Sequence, residues 1–325
     1  MKVIFSHNNQ NVMSGGKFYQ QQIIGALNDN FNLGVYTPDR KKIKLKFKKK
    51  ILEIIDLHNH DEDADVQILD YWATVALLFK KKKGRIIALI HHIDSTGRFM
   101  GKLNWLVEQI FYHNLRKKID TLVVVSKFWQ DHFLKKRIKD VRIIYNPFQV
   151  PEIEKKDVEE FKRKYHLLGK PIIYIGNCQK IKGADAVYRE LKDLDVYLVT
   201  SGRKLLDIPA VHLELDQKEY FFLLRAADMV ISMSIFNEGW CRTAHEALLM
   251  GTPVIGSGKG GMGELLKQSG QTVCERIADL EQLVQKLLEN KIDKLRIPYV
   301  RSEQFSVADF NRHWVSVINE AGKSL

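Results

Sequence analysis

Three cysteines, Cys178, Cys241 and Cys274, are all that 325 residues hold. They are too few and too scattered for a disulfide framework or a zinc site, which makes a reducing cytoplasm the expected compartment. No stretch approaches the roughly 18 apolar residues that a membrane span needs. The opening MKVIFSHNNQ carries one Lys and a short apolar run that polar residues end at once; it reads as a first β-strand rather than a signal peptide. There is no fixed-period repeat, and no low-complexity tract beyond clusters of lysine.

What the chain does have is uneven charge. The net charge is +12, and residues 1–150 carry 26 Lys/Arg against 14 Asp/Glu, while residues 151–325 carry 25 against 25. The whole excess therefore lies in the first half, in Lys41–Lys50, Lys80–Arg85, Arg116–Lys118 and Lys135–Lys139. Such a field attracts polyanions, among them phospholipid surfaces and phosphorylated acceptors; a solvated Lys-rich surface is the plainer reading. Nucleic acid is the less expected partner, because no aromatic RNA-binding motif or helix-turn-helix pattern accompanies the charge.

Short apolar runs alternate with amphipathic stretches. Strands are expected at Val3–Ser6, Leu33–Tyr36, Val66–Leu69, Ile86–Ile90, Leu122–Val125 and Arg142–Ile144, then at Ile172–Ile175, Val196–Val199, Met229–Ser232 and Pro253–Gly256. Helices are expected at Gly16–Leu27, Trp72–Phe79, Lys102–Leu115, Phe128–Lys136, Ala184–Leu191, Lys218–Ala226, Arg242–Met250 and Leu280–Leu288. Apolar strands between helical periods indicate parallel sheets covered on both faces. Pro147 and Pro151, followed by the charged Glu152–Glu160, read as a linker. The expectation is two doubly wound, Rossmann-like α/β domains facing each other across a cleft. Their bounds are 1–149 and 150–304, with 305–325 folding back on the first.

The segment Asn237–Glu264 carries most of the chemistry. Glu238 and Glu246 are eight residues apart; at a helical rise of about 1.5 Å per residue that is about 12 Å, which suits the two ends of one extended ligand. A helix beginning near Cys241 or Arg242 points its free N–H groups at the preceding loop, a natural site for a diphosphate. Lys259-Gly260-Gly261 is a second turn where backbone can approach a ligand.

These residues resemble the family 4 glycosyltransferases, retaining enzymes of the GT-B fold also described as glycosyl transferases group 1. The likeness lies in Glu238-Gly239-Trp240, the Glu246-Ala247-Leu248 helix, Gly251-Thr252-Pro253-Val254-Ile255 and the Gly260-Gly261 loop ending in Glu264. Lys182-Gly183, Val125-Ser126, Asn146, Phe305-Ser306 and Gly15-Gly16 extend it over nearly the whole chain. The resemblance implies a second domain that binds a UDP- or GDP-linked hexose and a first domain that binds a glycan or lipid-linked acceptor. It places Glu246 at the ribose, Glu238 at the transferred sugar, Lys182 at the diphosphate, and His91 or His92 in the acceptor-side active site. It implies no separate protein nucleophile, no metal and no cofactor. Gly15, Gly16, Gly239, Trp240, Cys241, Gly260 and Gly261 complete the expected donor site. Asn177 stands where the family carries Arg, and Cys241-Arg242 where it carries Gly and an apolar residue; Arg242 or Arg203 is the candidate replacement for the missing charge.

Two other patterns carry less. His58-Asn59-His60-Asp61 with Asp63 and Asp65 looks metal-like but lacks a strand-end context and reads as a solvated loop. Asp193-Leu194-Asp195 precedes an ordinary strand and is set aside. The competing functions are a catalytically degenerate relative, a sugar-nucleotide epimerase or a glycan phosphorylase, the last lacking a recognisable pyridoxal-binding Lys. The basic first half, with Trp105, Ile110, Phe111 and Tyr112 in a helix ending at Arg116-Lys117-Lys118, also admits peripheral binding to the inner face of an anionic membrane.

Overall fold

A computed structural model of the chain describes residues 1–7, 15–38, 46–60, 62–93, 103–289 and 299–323. Lys41–Leu45, Asp61 and Lys102, which fall within segments singled out above, lie outside the described residues.

The chain forms two units, Met1–Pro147 with Val307–Leu325, and Phe148–Ser306. The first is built from β1 (Lys2–Ser6), α1 (Gly15–Asn28), β2 (Asn32–Tyr36), α2 (Lys46–Asn59), β3 (Val66–Leu69), α3 (Tyr71–Ala76), β4 (Arg85–Ile90), α4 (Leu103–Lys117), β5 (Thr121–Val124), α5 (Lys127–Lys135) and β6 (Val141–Ile143). The second holds α6 (Lys155–Lys164), β7 (Ile172–Asn177), α7 (Ala184–Leu191), β8 (Tyr197–Ser201), β9 (Val211–Leu213), α8 (Gln217–Ala226), β10 (Met229–Ser232), α9 (Arg242–Leu249), β11 (Val254–Gly256), α10 (Gly261–Gln268), β12 (Thr272–Val273) and α11 (Leu280–Glu289). The last helix, α12 (Val307–Lys323), belongs to the first unit.

Each unit has a six-stranded sheet with every pairing parallel, ordered β2-β1-β3-β4-β5-β6 in the first and β12-β11-β10-β7-β8-β9 in the second. The strands are apolar on both faces: Thr121–Val124 and Met229–Ser232 are buried throughout. That is what a parallel sheet sandwiched by helices requires. In the first unit Tyr19 and Ile23 of α1 and Phe310, Trp314 and Ile318 of α12 are buried side chains. Tyr19 sets its ring edge-on to Phe310 at 5.0 Å and donates its hydroxyl to the Ile144 carbonyl at 2.8 Å.

Strand order reverses between β1 and β3 and between β7 and β10. Loops leaving such neighbouring strands diverge to opposite faces and open a crevice at the carboxyl ends. The crevice at β7 and β10 is where the second unit's chemistry collects.

Several local expectations need correction. Residues 155–164 are helical, not linker. Their charge hides a two-residue apolar stripe, Val158 and Phe161, of which Phe161 is buried with its ring 6.3 Å from that of Phe222. His58 and Asn59 end α2 rather than lying in a solvated loop: His58 Nδ1 bonds the Ala76 carbonyl at 2.8 Å, and His60 stacks on Tyr36 at 3.6 Å. The short strands β9 and β12 have no apolar run to announce them.

The proposed membrane-facing side of α4 is not one surface. Phe111 and Tyr112 are buried, whereas Trp105 and Leu106 are exposed. Trp105 and Arg116 are eleven positions apart, about 16 Å of helix. The lysines nearby are partly engaged: Lys80 Nζ donates to the His60 carbonyl at 2.6 Å, and Lys82 and Lys83 pair with Asp120 and Asp63.

Candidate functional site

The carboxyl end of β7 leads through a bulge between Tyr174 and Asn177 into a single 3₁₀ turn, Lys180–Lys182. Gly183 ends that turn with φ +79°, and a Cβ there would stand 2.2 Å from the Met233 carbonyl oxygen. Only glycine permits both the left-handed backbone and this approach. The closeness brings Lys182 to the loop after β10, where its Nζ meets Glu238 Oε1 at 2.6 Å. Ser234 donates its hydroxyl to the same oxygen at 2.5 Å. Lys182 also lies 4.9 Å from the Phe236 ring centroid.

A second glycine fixes Glu238 from the other side. Glu238 and Gly260 form a parallel β-bridge, and the Gly261 amide donates to the Glu238 carbonyl at 2.9 Å. Gly260 has φ +67°, and a Cβ on it would sit 2.3 Å from the Glu238 carbonyl oxygen. The carboxylate is therefore held between two loops, each closed by a glycine. Because helix α9 begins only at Arg242, the 12 Å helical spacing expected between the two glutamates does not apply: Glu238 lies in the preceding loop.

Glu246 is buried on α9. Arg242, one turn earlier, donates to Oε1 at 2.8 Å, and Tyr220 of α8 donates its hydroxyl to Oε2 at 3.0 Å. Burial pushes the Glu246 pKa up, opposed by the Arg242 charge and the Tyr220 hydrogen bond. Arg242 lies over the Phe148 ring at 4.5 Å, so its guanidinium is committed to a carboxylate and an aromatic face. Cys241 stands between the two pairs. Burial, with the nearby Glu238 charge, pushes its thiol up to about 11, which keeps it protonated and unreactive.

His245 is the residue that sequence reasoning missed. It is fully buried, accepts from the Trp240 indole N–H at Nδ1 (3.1 Å), and bonds the Val300 carbonyl through Nε2 (2.9 Å). The donor at Nδ1 fixes the neutral tautomer with its proton on Nε2. Phe148 stacks on the ring at 3.8 Å, and Phe305 meets it edge-on at 4.6 Å. Burial drops its pKa to about 3. Tyr220 and Ser234 also escaped notice: Tyr220 is 26 residues from its partner, and Ser234 is one of many loop serines.

Other expected residues are more dispersed. Asn177 closes β7, and Arg203 is exposed on the turn after β8, beyond Gly202, whose own Cβ would lie 3.1 Å from Asn177 Oδ1. Gly239 and Trp240 are buried beside Glu238. His91, His92, Gly15 and Gly16 belong to the first unit. His91 follows β4 with its ring edge-on to Tyr19 at 4.8 Å; its Nε2 is buried without a partner among the described residues, and burial lowers its pKa to about 3. His92 is exposed, and Gly15 and Gly16 open α1. Among the described residues no group of three His, Cys, Asp or Glu is placed to hold a metal ion.

Residues 157–299 match the family described as glycosyl transferases group 1. N-acetyl-alpha-D-glucosaminyl L-malate synthase of Bacillus anthracis is 26% identical over 226 residues, 62% of this chain; the match spans only 58% of that relative's length. The crystal structure of HepE from Anabaena in complex with UDP-glucose is similar over 98% of this chain and 100% of that one, with a TM-score of 0.74 and 15% identity. Sucrose-phosphate synthase from Thermosynechococcus elongatus is similar over the whole of both chains, with a TM-score of 0.78 and 13% identity. These structures share with this chain the two-domain α/β GT-B fold.

Proposed function

We propose, from the match of residues 157–299 to the family described as glycosyl transferases group 1, that the chain is a retaining transferase moving a hexose-type sugar from a UDP- or GDP-sugar to a glycan or lipid-linked acceptor. The observation that carries the reading is the Lys182–Glu238 pair at the β7/β10 reversal, a cation for phosphate and a carboxylate for sugar hydroxyls in one place. The UDP-glucose complex of HepE supports the uridine branch, and the B. anthracis relative supports transfer of a hexose-derived unit.

In this mechanism the bond from the anomeric carbon to the diphosphate oxygen breaks. The acceptor hydroxyl oxygen bonds that carbon on the same face, and its proton passes to the departing diphosphate. Lys182 turns from Glu238 toward the phosphate as charge grows there, which lowers the barrier more than it aids ground-state binding. Glu238, so released, accepts from sugar hydroxyls. Glu246, paired with Arg242 and oriented by Tyr220, accepts from the ribose hydroxyls. Neither a metal nor a cofactor is needed, because Lys182 and helix N-termini supply the positive charge. His91 or His92 serves the acceptor half of the reaction.

The acceptor, in this reading, is reached from the cytoplasmic face of an anionic membrane. The excess charge of residues 1–150 and the exposed Trp105 and Leu106 support that partner. No described helix is long and apolar enough to cross a membrane.

Release of nucleoside diphosphate from a panel of UDP- and GDP-sugars tests the proposal. Turnover with one donor supports it. Tight nucleotide binding without turnover on any donor marks a degenerate relative, a reading that Asn177 favours. No nucleotide binding at all ends the sugar-transfer reading.

A further inference from the structure

Both cations placed in the site so far are matched to carboxylates, Lys182 to Glu238 and Arg242 to Glu246. Those four groups sum to zero charge, while a leaving nucleoside diphosphate is a polyanion. A further side-chain cation would add to what Lys182 and the helix N-termini supply, and Asn177 does not provide one.

Lys259 stands beside the site without being neutralised by it. Its Nζ donates to the Ile235 carbonyl at 3.3 Å. The Ile235 amide in turn donates to the Ile181 carbonyl at 3.1 Å, one residue before Lys182. The residue after Lys259 is Gly260, whose backbone pairs with Glu238. Lys259, Lys182 and Glu238 therefore converge on residues 235–238. Lys259 is exposed, and among the described residues no carboxylate lies within ion-pair distance of it. Its hold on a neutral carbonyl is long, so little is lost when the ammonium swings away. A lysine stem is flexible and its head a compact charge, which suits a phosphate that moves during the reaction.

We propose that Lys259 is a second cation for the donor's diphosphate, working from the opposite side of the residue 235–238 loop to Lys182. The proposal rests on the sugar-transfer reading above. It makes Lys259 a residue that sets affinity for the charged end of the donor and leaves the nucleoside end alone.

Calorimetric titration of the intact chain with UDP and UMP, and with GDP and GMP, tests it. Lys259→Gln is expected to weaken the diphosphate about tenfold and to weaken the monophosphate much less. Lys259→Arg is expected to restore most of the loss, and the salt dependence of diphosphate binding should shallow in Lys259→Gln alone. Lys180→Gln removes one exposed charge from a neighbouring turn. Wild-type diphosphate affinity in Lys259→Gln overturns the assignment while leaving sugar transfer standing; so does an equal loss in Lys180→Gln, which means a general field effect. If the wild-type chain binds none of these nucleotides, the sugar-transfer reading falls and this assignment with it.

Discussion

The Trp240 indole donates its N–H to Nδ1 of His245 at 3.1 Å, and this one bond ties the Glu238 loop to the helix carrying Glu246. His245 holds Phe148 on its face, and Phe148 carries Arg242. The two glutamates are thus linked through a buried, neutral imidazole that touches neither.

That imidazole should make the second unit acid-sensitive. In the unfolded chain it protonates near its ordinary value of 6.5, in the folded chain only at about 3. The unfolded state therefore binds more protons below 6.5, so the contribution is complete above that pH and lost as pH falls toward 3. At pH 5 the loss is about 2 kcal/mol. Melting temperature measured from pH 7.5 to 4.5 should fall, and His245→Gln, which can still accept and donate, should flatten the fall. An unchanged slope in that variant would remove His245 from the cause.

Lys182→Ala and Glu246→Ala should each cut transfer about a hundredfold or more while leaving a folded protein, because each removes a charged contact to the donor. Both should show native-like circular dichroism, although Lys182→Ala leaves Glu238 buried without its cation and should lower stability by about 1–3 kcal/mol. Near-normal kcat/KM in both variants would discard the site assignment.

Transfer should survive EDTA, since Lys182 and backbone amides carry the leaving-group charge in the mechanism above. Loss of activity with chelator, restored by Mn²⁺ or Mg²⁺, would contradict that mechanism.

Glycines at positive φ should differ by what faces them. Gly183→Ala and Gly260→Ala drive a methyl into backbone at 2.2 and 2.3 Å and should cost about 2 kcal/mol or more, with loss of activity. Gly270 has φ +67° but nothing within 4 Å, so Gly270→Ala should cost about 1 kcal/mol and leave activity intact. Urea midpoints of the three variants separate these cases.

Sedimentation with liposomes should carry the protein down at low salt, more with anionic lipid and less with added salt. Trp105→Ala should weaken it, because that side chain is two-thirds exposed. A protein that ignores anionic liposomes at low salt uses a soluble acceptor.

The architecture was legible because parallel strands buried on both faces leave uninterrupted apolar runs, as in Ile86–Ile90 and Met229–Ser232. Helix α6 was not, because only Val158 and Phe161 interrupt its charge. In the site, local patterns announced Glu238, Glu246 and Gly260. What joins them was silent in sequence: Tyr220 reaches Glu246 across 26 residues, and Lys182 reaches Glu238 across 56. A histidine next to Glu246 gives no sign of being buried and neutral until Trp240, Phe148 and Val300 are seen around it.

The first unit takes α12 from beyond the second in chain order, with Trp314 fully buried and Phe310 against Tyr19. During synthesis, then, every residue of the compact unit 148–306 has been made while residues 1–147 still wait for their closing helix. The later-made half is completed first, and the earlier-made half stands with Tyr19 and its neighbours uncovered until about twenty more residues emerge. A ribosome that stalls after residue 306 leaves an intact second unit attached to an unfinished first one, a product that exposes apolar surface and is open to proteolysis.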